Sequence, residues 1–198
     1  MNRIKLLVGS IALLGLVGAA EAGPKSFEVD PNHSIFGFTA STLLFDVQGH
    51  FDKYKVTVSG DPDTLADAKV AIEIDAASIS TNNKTRDTHL KSDDFFDVKK
   101  FPKITFTSTG VKKDGAKIVV DGTLDMHGVK KPMTIPFEPI TGKNGAGIQE
   151  NVYKAEVTLN RKDFGIGADS VGAKISLSDS VKLKLLLAGF FEEKKGGK

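Results

Sequence analysis

The sequence predicts an all-β chain: a meander of eight to ten strands, closed into an antiparallel barrel, with one short helical segment shutting an end. Three observations predict it. Apolar residues recur at every second position along most of the chain, the period of a strand with one buried face. Clusters of Gly, Pro, Asn and Asp separate these runs at near-regular spacing. The rhythm stops at length only once, between Ser78 and Phe106, where charge gathers around His89 and the Phe95-Phe96 pair.

The first residues lie outside the barrel. Arg3 and Lys5 precede an apolar run to Val17, and Ala20-Glu21-Ala22 offers a small-residue cleavage site. That is the layout of a secretory signal peptide over residues 1–22, and the run is shorter than the roughly 20 residues a membrane span needs. Removing 22 of 198 residues leaves 176, enough for one domain with a sizeable core. It also removes Arg3, Lys5 and Glu21, which takes the formal charge from +2 to +1. That balance gives no support to nucleic-acid binding. The chain has no Cys, so neither a disulfide framework nor a lipidated N-terminal Cys is available, and no stable membrane anchor is expected after cleavage. It has no Trp but 13 Phe, which build dry apolar surface.

Taken in order, Phe27 and Val29 alternate up to a turn at Pro31-Asn32. Phe36 and Phe38 resume, and Phe45, Val47, Gly49 and Phe51 continue the period. Tyr54, Val56 and Val58 run to a Gly60-Asp61-Pro62-Asp63 turn; Val70, Ile72 and Ile74 then alternate with Lys69, Ala71, Glu73 and Asp75. After the interruption Ile104 and Phe106 restart the pattern. Asp114-Gly115 marks a hairpin, Ile118 to Met126 follows, and His127-Gly128 turns again. Met133, Ile135 and Phe137 lead to a loop at 141–147, Tyr153 to Leu159 forms a strand, and Gly165-Ile166-Gly167 breaks it as a turn with no amphipathic helix after it. Val181 to Leu187 is the last strand, and the charged tail 192–198 is expected to fray. The domain therefore spans 23–191. The short helix is placed at Thr85–Ser92 with Asn82 or Asn83 as its cap.

Two readings of the interior follow. Phe36, Phe38, Phe45, Val56, Val70, Ile72, Phe106, Val120, Met126, Ile135, Tyr153, Val157, Leu183 and Leu185 either fill the core or line an elongated apolar cavity. A linear lipid burying about 600 Å² there would release on the order of 15 kcal/mol gross, before the costs of association. Leu90 and Phe95 would close the end as a lid, anchored by pairing of Arg86 with Asp87. Arg86, Asp87 and His89 form a rim cluster that could also act in acid–base chemistry. No nucleophile elbow or phosphate loop accompanies it, so no catalytic residue is assigned. His89, Asp93 and Asp97 have the residue types of a metal triad, but the two Asp read as the end of the segment, so no metal is assigned. Asn32-His33-Ser34 and Asn83-Lys84-Thr85 match the glycosylation sequon.

Four segments resemble the YceI-like proteins of the bacterial periplasm. They are Phe27-Glu-Val-Asp-Pro-Asn-His-Ser-Ile-Phe-Gly-Phe with Val47-Gln-Gly-His-Phe; Ser78-Ile-Ser-Thr with Arg86-Asp-Thr-His-Leu-Lys-Ser-Asp-Asp-Phe-Phe-Asp and Phe101-Pro-Lys-Ile-Thr-Phe-Thr-Ser; Gly122-Thr-Leu-Asp-Met-His-Gly-Val-Lys-Lys-Pro; and Asn160-Arg-Lys-Asp-Phe-Gly-Ile. In order and spacing they cover nearly the whole chain after the leader, and the second is highly specific. The resemblance implies an eight-stranded lipocalin-like barrel that holds a polyisoprenoid, an isoprenoid quinone or a similar long-chain amphiphile. It implies transport, storage or sequestration rather than catalysis, with no cofactor beyond that ligand, and dimers occur in the family. With the leader it implies the periplasm of a Gram-negative bacterium. The rivals are an enzyme acting on such a lipid at Arg86, Asp87 and His89, and a ligand-free structural protein of the stress response.

Overall fold

The computed structural model describes residues 25–193 apart from positions 62, 63, 66, 144 and 148. The expected signal peptide and the tail from 194 onward lie outside the described residues. Eleven strand segments are present: β1 (Lys25–Val29), β2 (Ile35–Thr42), β3 (Asp46–Phe51), β4 (Tyr54–Gly60), β5 (Lys69–Asp75), β6 (Ile79–Ser80), β7 (Lys103–Asp114), β8 (Lys117–Met126), β9 (Val129–Lys143), β10 (Gln149–Asn160) and β11 (Leu177–Glu193). Two helices accompany them, α1 (Lys84–Leu90) and α2 (Val171–Ser176).

The eleven segments make a barrel of eight strands. Hydrogen bonding runs β1-β4-β5-β7-β8-β9-β10-β11, and β11 returns to pair with β1, which closes a ring of eight and removes its edges. The other three segments continue members of that ring. β11 pairs with β1 along Gly189–Glu193 and with β2 along Leu177–Leu186, so β1 and β2 are one strand broken at residues 30–34. β3 and β4 are broken at Asp52-Lys53, and β5 and β6 by a 3-10 turn at Ala76–Ser78. Pro31 explains the first break, since it lacks the N–H a ladder needs. The other two lie side by side: the Asp52 N–H donates to the Ser78 carbonyl at 3.2 Å, and the Lys53 N–H to Ser78 Oγ at 3.0 Å.

Period two puts one face of each strand inside. Val70 and Ile72 of β5, Ile104 and Phe106 of β7, Val120, Leu124 and Met126 of β8, and Ile135 and Phe137 of β9 are all buried. The hairpins are those the sequence marks. Gly115 (φ +58°) turns β7 into β8, and His127 and Gly128 (φ +55° and +76°) turn β8 into β9, as a type I′ turn demands. At α1, Asn83 is the cap; its side-chain oxygen accepts the Arg86 N–H at 3.0 Å, and the helix is Lys84–Leu90 rather than Thr85–Ser92.

Three expectations are corrected. Gly165-Ile166-Gly167 is a turn, but α2 follows it, capped by Ser170; a six-residue helix is too short to show a period. β9 runs to Lys143, through the start of the expected loop. Glu192 and Glu193 do not fray: they pair with Ser26 and Lys25 and so help close the ring.

Candidate functional site

The barrel interior holds two apolar cavities stacked along its axis. One, of about 70 Å³, lies toward the end where β4 meets β5 and is lined by Phe27, Val58, Leu65, Val70, Val120, Phe137, Tyr153, Leu187 and Phe191. The other, of about 80 Å³, lies toward the helices and is lined by Phe36, Phe51, Ile72, Ile74, Ile104, Phe106, Leu124, Met126, Met133, Ile135, Leu159, Leu183 and Leu185. On β5 the linings change between Val70 and Ile72, on β9 between Ile135 and Phe137, and on β11 between Leu185 and Leu187. Each change is one inward step, about 7 Å of strand. A single layer of side chains therefore separates the cavities.

Glycine keeps two rings off the axis. A Cβ at Gly49 would collide with the Phe38 ring, and one at Gly122 with the Phe106 ring. Each Phe folds flat over a wall glycine instead of reaching across the lumen. Gly122 sits between Val120 and Leu124, at the layer that divides the cavities. A third depression, of about 980 Å³, opens beside the strand breaks; its lining mixes Gln48, His50, Asp52, Lys154, Glu156 and Lys184 with Ile35, Phe36, Phe38, Phe51, Leu185 and Leu186.

Of the residues expected to line the interior, Phe36, Val70, Ile72, Phe106, Val120, Met126, Ile135, Tyr153, Leu183 and Leu185 stand on these two walls. Val56 and Val157 pack against the core without lining either cavity, and Phe38 borders the third depression. Phe45 is not inside. It shares the inward parity of Val47 and Phe51, but it stands on the turn between β2 and β3, past the last strand pair, and is 61% exposed. The wall also includes Phe27, Leu65, Phe137, Leu187 and Phe191. Phe137 was legible as the continuation of Met133 and Ile135. Leu65, in the loop closing the β4–β5 end, has no strand pattern to reveal it.

At the other end, two chain excursions form a plug. The first, residues 81–102, carries α1. Phe95 is buried, Leu90 and Phe96 are half-buried, and the Phe96 ring meets Phe51 of the cavity wall edge-on at 6.0 Å. The expected Arg86–Asp87 pair is not what anchors it. Both side chains clasp Thr81 instead: Asp87 accepts from the Thr81 N–H at 2.8 Å and from its hydroxyl, while Arg86 donates Nε–H to Thr81 Oγ1 at 2.7 Å and Nη2–H to the Thr81 carbonyl at 2.9 Å. His89 turns elsewhere, with Nε2 2.9 Å from Asp94 and its ring edge-on to Phe95 at 5.0 Å. Arg86, Asp87 and His89 thus converge on no common point where a reacting atom could sit.

The second excursion, residues 161–176, is organised by Arg161, which is 2% exposed. Its guanidinium donates to the carbonyls of Ile166, Ala173, Leu177 and Ser178 and to Asp179 Oδ1, at 2.8–3.2 Å. Gly167 (φ +64°) lies under Phe95, where a Cβ would come within 2.8 Å of the ring. The two excursions meet there.

Polar chemistry is confined to the margins. Burial pushes the Tyr54 hydroxyl pKa up, and that hydroxyl donates to the Ser34 carbonyl at 3.0 Å. Outside the barrel, the His33 ring lies 2.6 Å from Asp30; the hydrogen bond holds the Asp30 carboxyl below its usual range and pushes the His33 imidazole up. Asp30, His33 and Glu150 are the only group among the described residues with metal-ligand spacing; His89, Asp93 and Asp97 are not such a group, because α1 ends at Leu90. No helix among the described residues is long and apolar enough to cross a membrane.

Known proteins share the sequence pattern and the fold of this chain. Residues 27–188 match the family described as the YceI-like domain. A UPF0312 protein of Photorhabdus laumondii is 35% identical over 179 residues, covering 88% of this chain and 93% of the relative. The crystal structure of Burkholderia cenocepacia BcnA superposes with a TM-score of 0.73 at 25% identity, over 82% of this chain and 100% of that one. A polyisoprenoid binding domain from Saccharophagus degradans, implicated in plant cell wall breakdown, shares the fold with a TM-score of 0.59 at 17% identity, over 85% of this chain and 98% of that one.

Proposed function

This chain belongs to the YceI-like family, and from that membership we propose that it is an exported carrier holding one polyisoprenoid, isoprenoid quinone or similar long-chain amphiphile in the barrel. The observation that carries the reading is the pair of axial cavities with almost wholly apolar walls, one side-chain layer apart. Cavities of about 70 and 80 Å³ are, even joined, well below the roughly 300–1,000 Å³ of ligand sites, so an occupant must both part that layer and push the wall side chains aside. The flat placement of Phe106 over Gly122, in the dividing layer, leaves the axis as the direction in which side chains can yield. The polyisoprenoid-binding relative of the same fold supports the choice of ligand class. The leader-like residues 1–22 support export, and together with the family they support a periplasmic location.

Protein purified from its native host and extracted with solvent should release close to one equivalent of an apolar long-chain compound, read by mass spectrometry. Extracts holding none, with no uptake of added isoprenoid quinone, would sink the reading. Gly122→Leu should lower the lipid content at least tenfold, because its side chain displaces the Phe106 ring toward the axis.

A further inference from the structure

The end of the barrel that bears the plug also bears five large apolar side chains directed into solvent. Leu43, Leu44 and Phe45 are 77%, 89% and 61% exposed, and Val171 and Ile175 are 72% and 71% exposed. They come from segments far apart in sequence. Thr42 opposes Leu177 across the β2–β11 ladder, so the turn at 43–45 stands beside the last turn of α2. Both segments are built to present these groups. Thr42 closes its turn: Oγ1 donates to the Phe45 carbonyl at 2.8 Å and accepts the N–H groups of Leu44 and Phe45 at 3.4 and 3.2 Å, while the Thr42 N–H bonds the Phe45 carbonyl at 2.9 Å. In α2, Ala173 is buried, while Val171 and Ile175, one turn apart, share the outer face. A helix usually turns its large apolar residues inward; this one does the reverse.

We propose that this end docks on a phospholipid bilayer. Leu43, Leu44 and Phe45 of the turn, with Val171 and Ile175 of α2, enter the membrane surface, so that the plug faces the membrane with which the amphiphile is exchanged. The proposal rests on the carrier reading above. Size argues against a second copy of the chain as the occupant: five side chains on two projections fall far short of the roughly 20–30 residues per side of a stable protein interface. The turn suits lipid because the apolar phase penalises unpaired backbone amides, and Thr42 pairs those of Leu44 and Phe45. Charge narrows the mode. Across 42–46 and 169–176 the only ionised side chains are Asp46, Asp169 and Lys174, the last two 3.9 Å apart. One cation against two carboxylates is no polybasic patch, so binding proceeds by apolar insertion and needs no anionic lipid.

The chain has no Trp, so Leu44→Trp supplies a single indole reporter. With neutral phosphatidylcholine vesicles its emission should shift to the blue and be quenched by lipids brominated on the acyl chain. Wild-type protein should co-sediment with the same vesicles, and the Leu44→Glu/Val171→Glu double variant should do so at least tenfold less, while keeping its extracted lipid. An unshifted indole, wild-type protein left in the supernatant, or a double variant that sediments like wild type overturns the proposal. So does a concentration-dependent dimer abolished by the double substitution without vesicle binding, which would assign the patch to a second copy. Lipid-loaded protein that ignores vesicles defeats docking alone; protein that binds vesicles but never carries lipid defeats the carrier reading.

Discussion

The two halves of the plug close the same end of the barrel by different physics. The Arg161 half is fixed from within: a guanidinium removed from water has one carboxylate and four carbonyls as acceptors, all contributed by residues 166–179. The α1 half is fixed at its ends. Its clasp on Thr81 is only part-buried, no residue of α1 itself is buried, and it touches the interior through Phe95, Phe96 and Leu90. The α1 half is held at its two ends, by the Thr81 clasp and by the Pro102 carbonyl, which accepts the Ala76 N–H at 3.0 Å, and between them it rests largely on apolar side chains; the other half is threaded through a buried charge. On the carrier reading, that contrast would make 161–176 the floor and 81–102 the lid.

The largest effect should come from breaking the floor. Arg161→Ala removes the guanidinium from four carbonyls, of which Ala173 keeps the Leu177 N–H, and leaves Asp179 to pair with Lys162, at 2.9 Å. Loss of one partner from a buried charged network typically costs about 3–5 kcal/mol. Urea denaturation should show a loss of that size, and Arg161→Lys should recover little of it, since an ammonium cannot reach acceptors arranged around a planar fork. A loss below about 1 kcal/mol, the scale of an exposed pair, would show that the two halves are not distinct.

Leu90→Asp addresses the lid. The half-buried side chain packs against the core, and a carboxylate there favours the lifted state. Bound lipid should escape at least tenfold faster into acceptor vesicles, while the urea midpoint moves much less than for Arg161→Ala. If both fall together, the lid does not move independently of the barrel. A smaller effect is expected at the Thr81 clasp. Asp87→Asn weakens the acceptor that takes two bonds from Thr81, and should cost about 1 kcal/mol in hydrogen-exchange protection of residues 84–90, with little change elsewhere.

How much of this was legible depended on whether the relevant physics was local. The strand faces were, because period two is written into consecutive residues such as Val70 and Ile72. So were the His127-Gly128 turn and a cap at Asn82 or Asn83, each fixed by the chemistry of adjacent positions, with only the structure choosing Asn83. The position of Phe45 was not: its parity is that of Val47 and Phe51, and only the end of the β2–β3 ladder shows that it has left the sheet. Arg161 gave no sign of burial, because its acceptors are carbonyls set by the path of residues 166–178, and a carbonyl carries no sequence signature. The three strand breaks were half legible. Pro31 announces the first, while Asp52-Lys53 breaks β3 from β4 with no Pro or Gly to mark it.

The smallest expected effect is also the one that separates a carrier from a catalyst. His89 is the only histidine on the lid, and with Arg86 and Asp87 adjacent it invites a mechanistic role. Its geometry gives it a local one. The Asp94 pair has both side chains about half exposed, at 54% and 50%, so water and salt screen it, and such pairs contribute about 0–1 kcal/mol. The ring also borders Phe95 at 5.0 Å, a contact whose loss trims one edge of the lid without opening it. His89→Ala should therefore leave the urea midpoint nearly unchanged and the rate of lipid escape within about twofold of wild type, against the tenfold expected at the adjacent Leu90. A folded His89→Ala protein that keeps its lipid but loses function in the cell would contradict this, and would return His89 to the position of a reacting group.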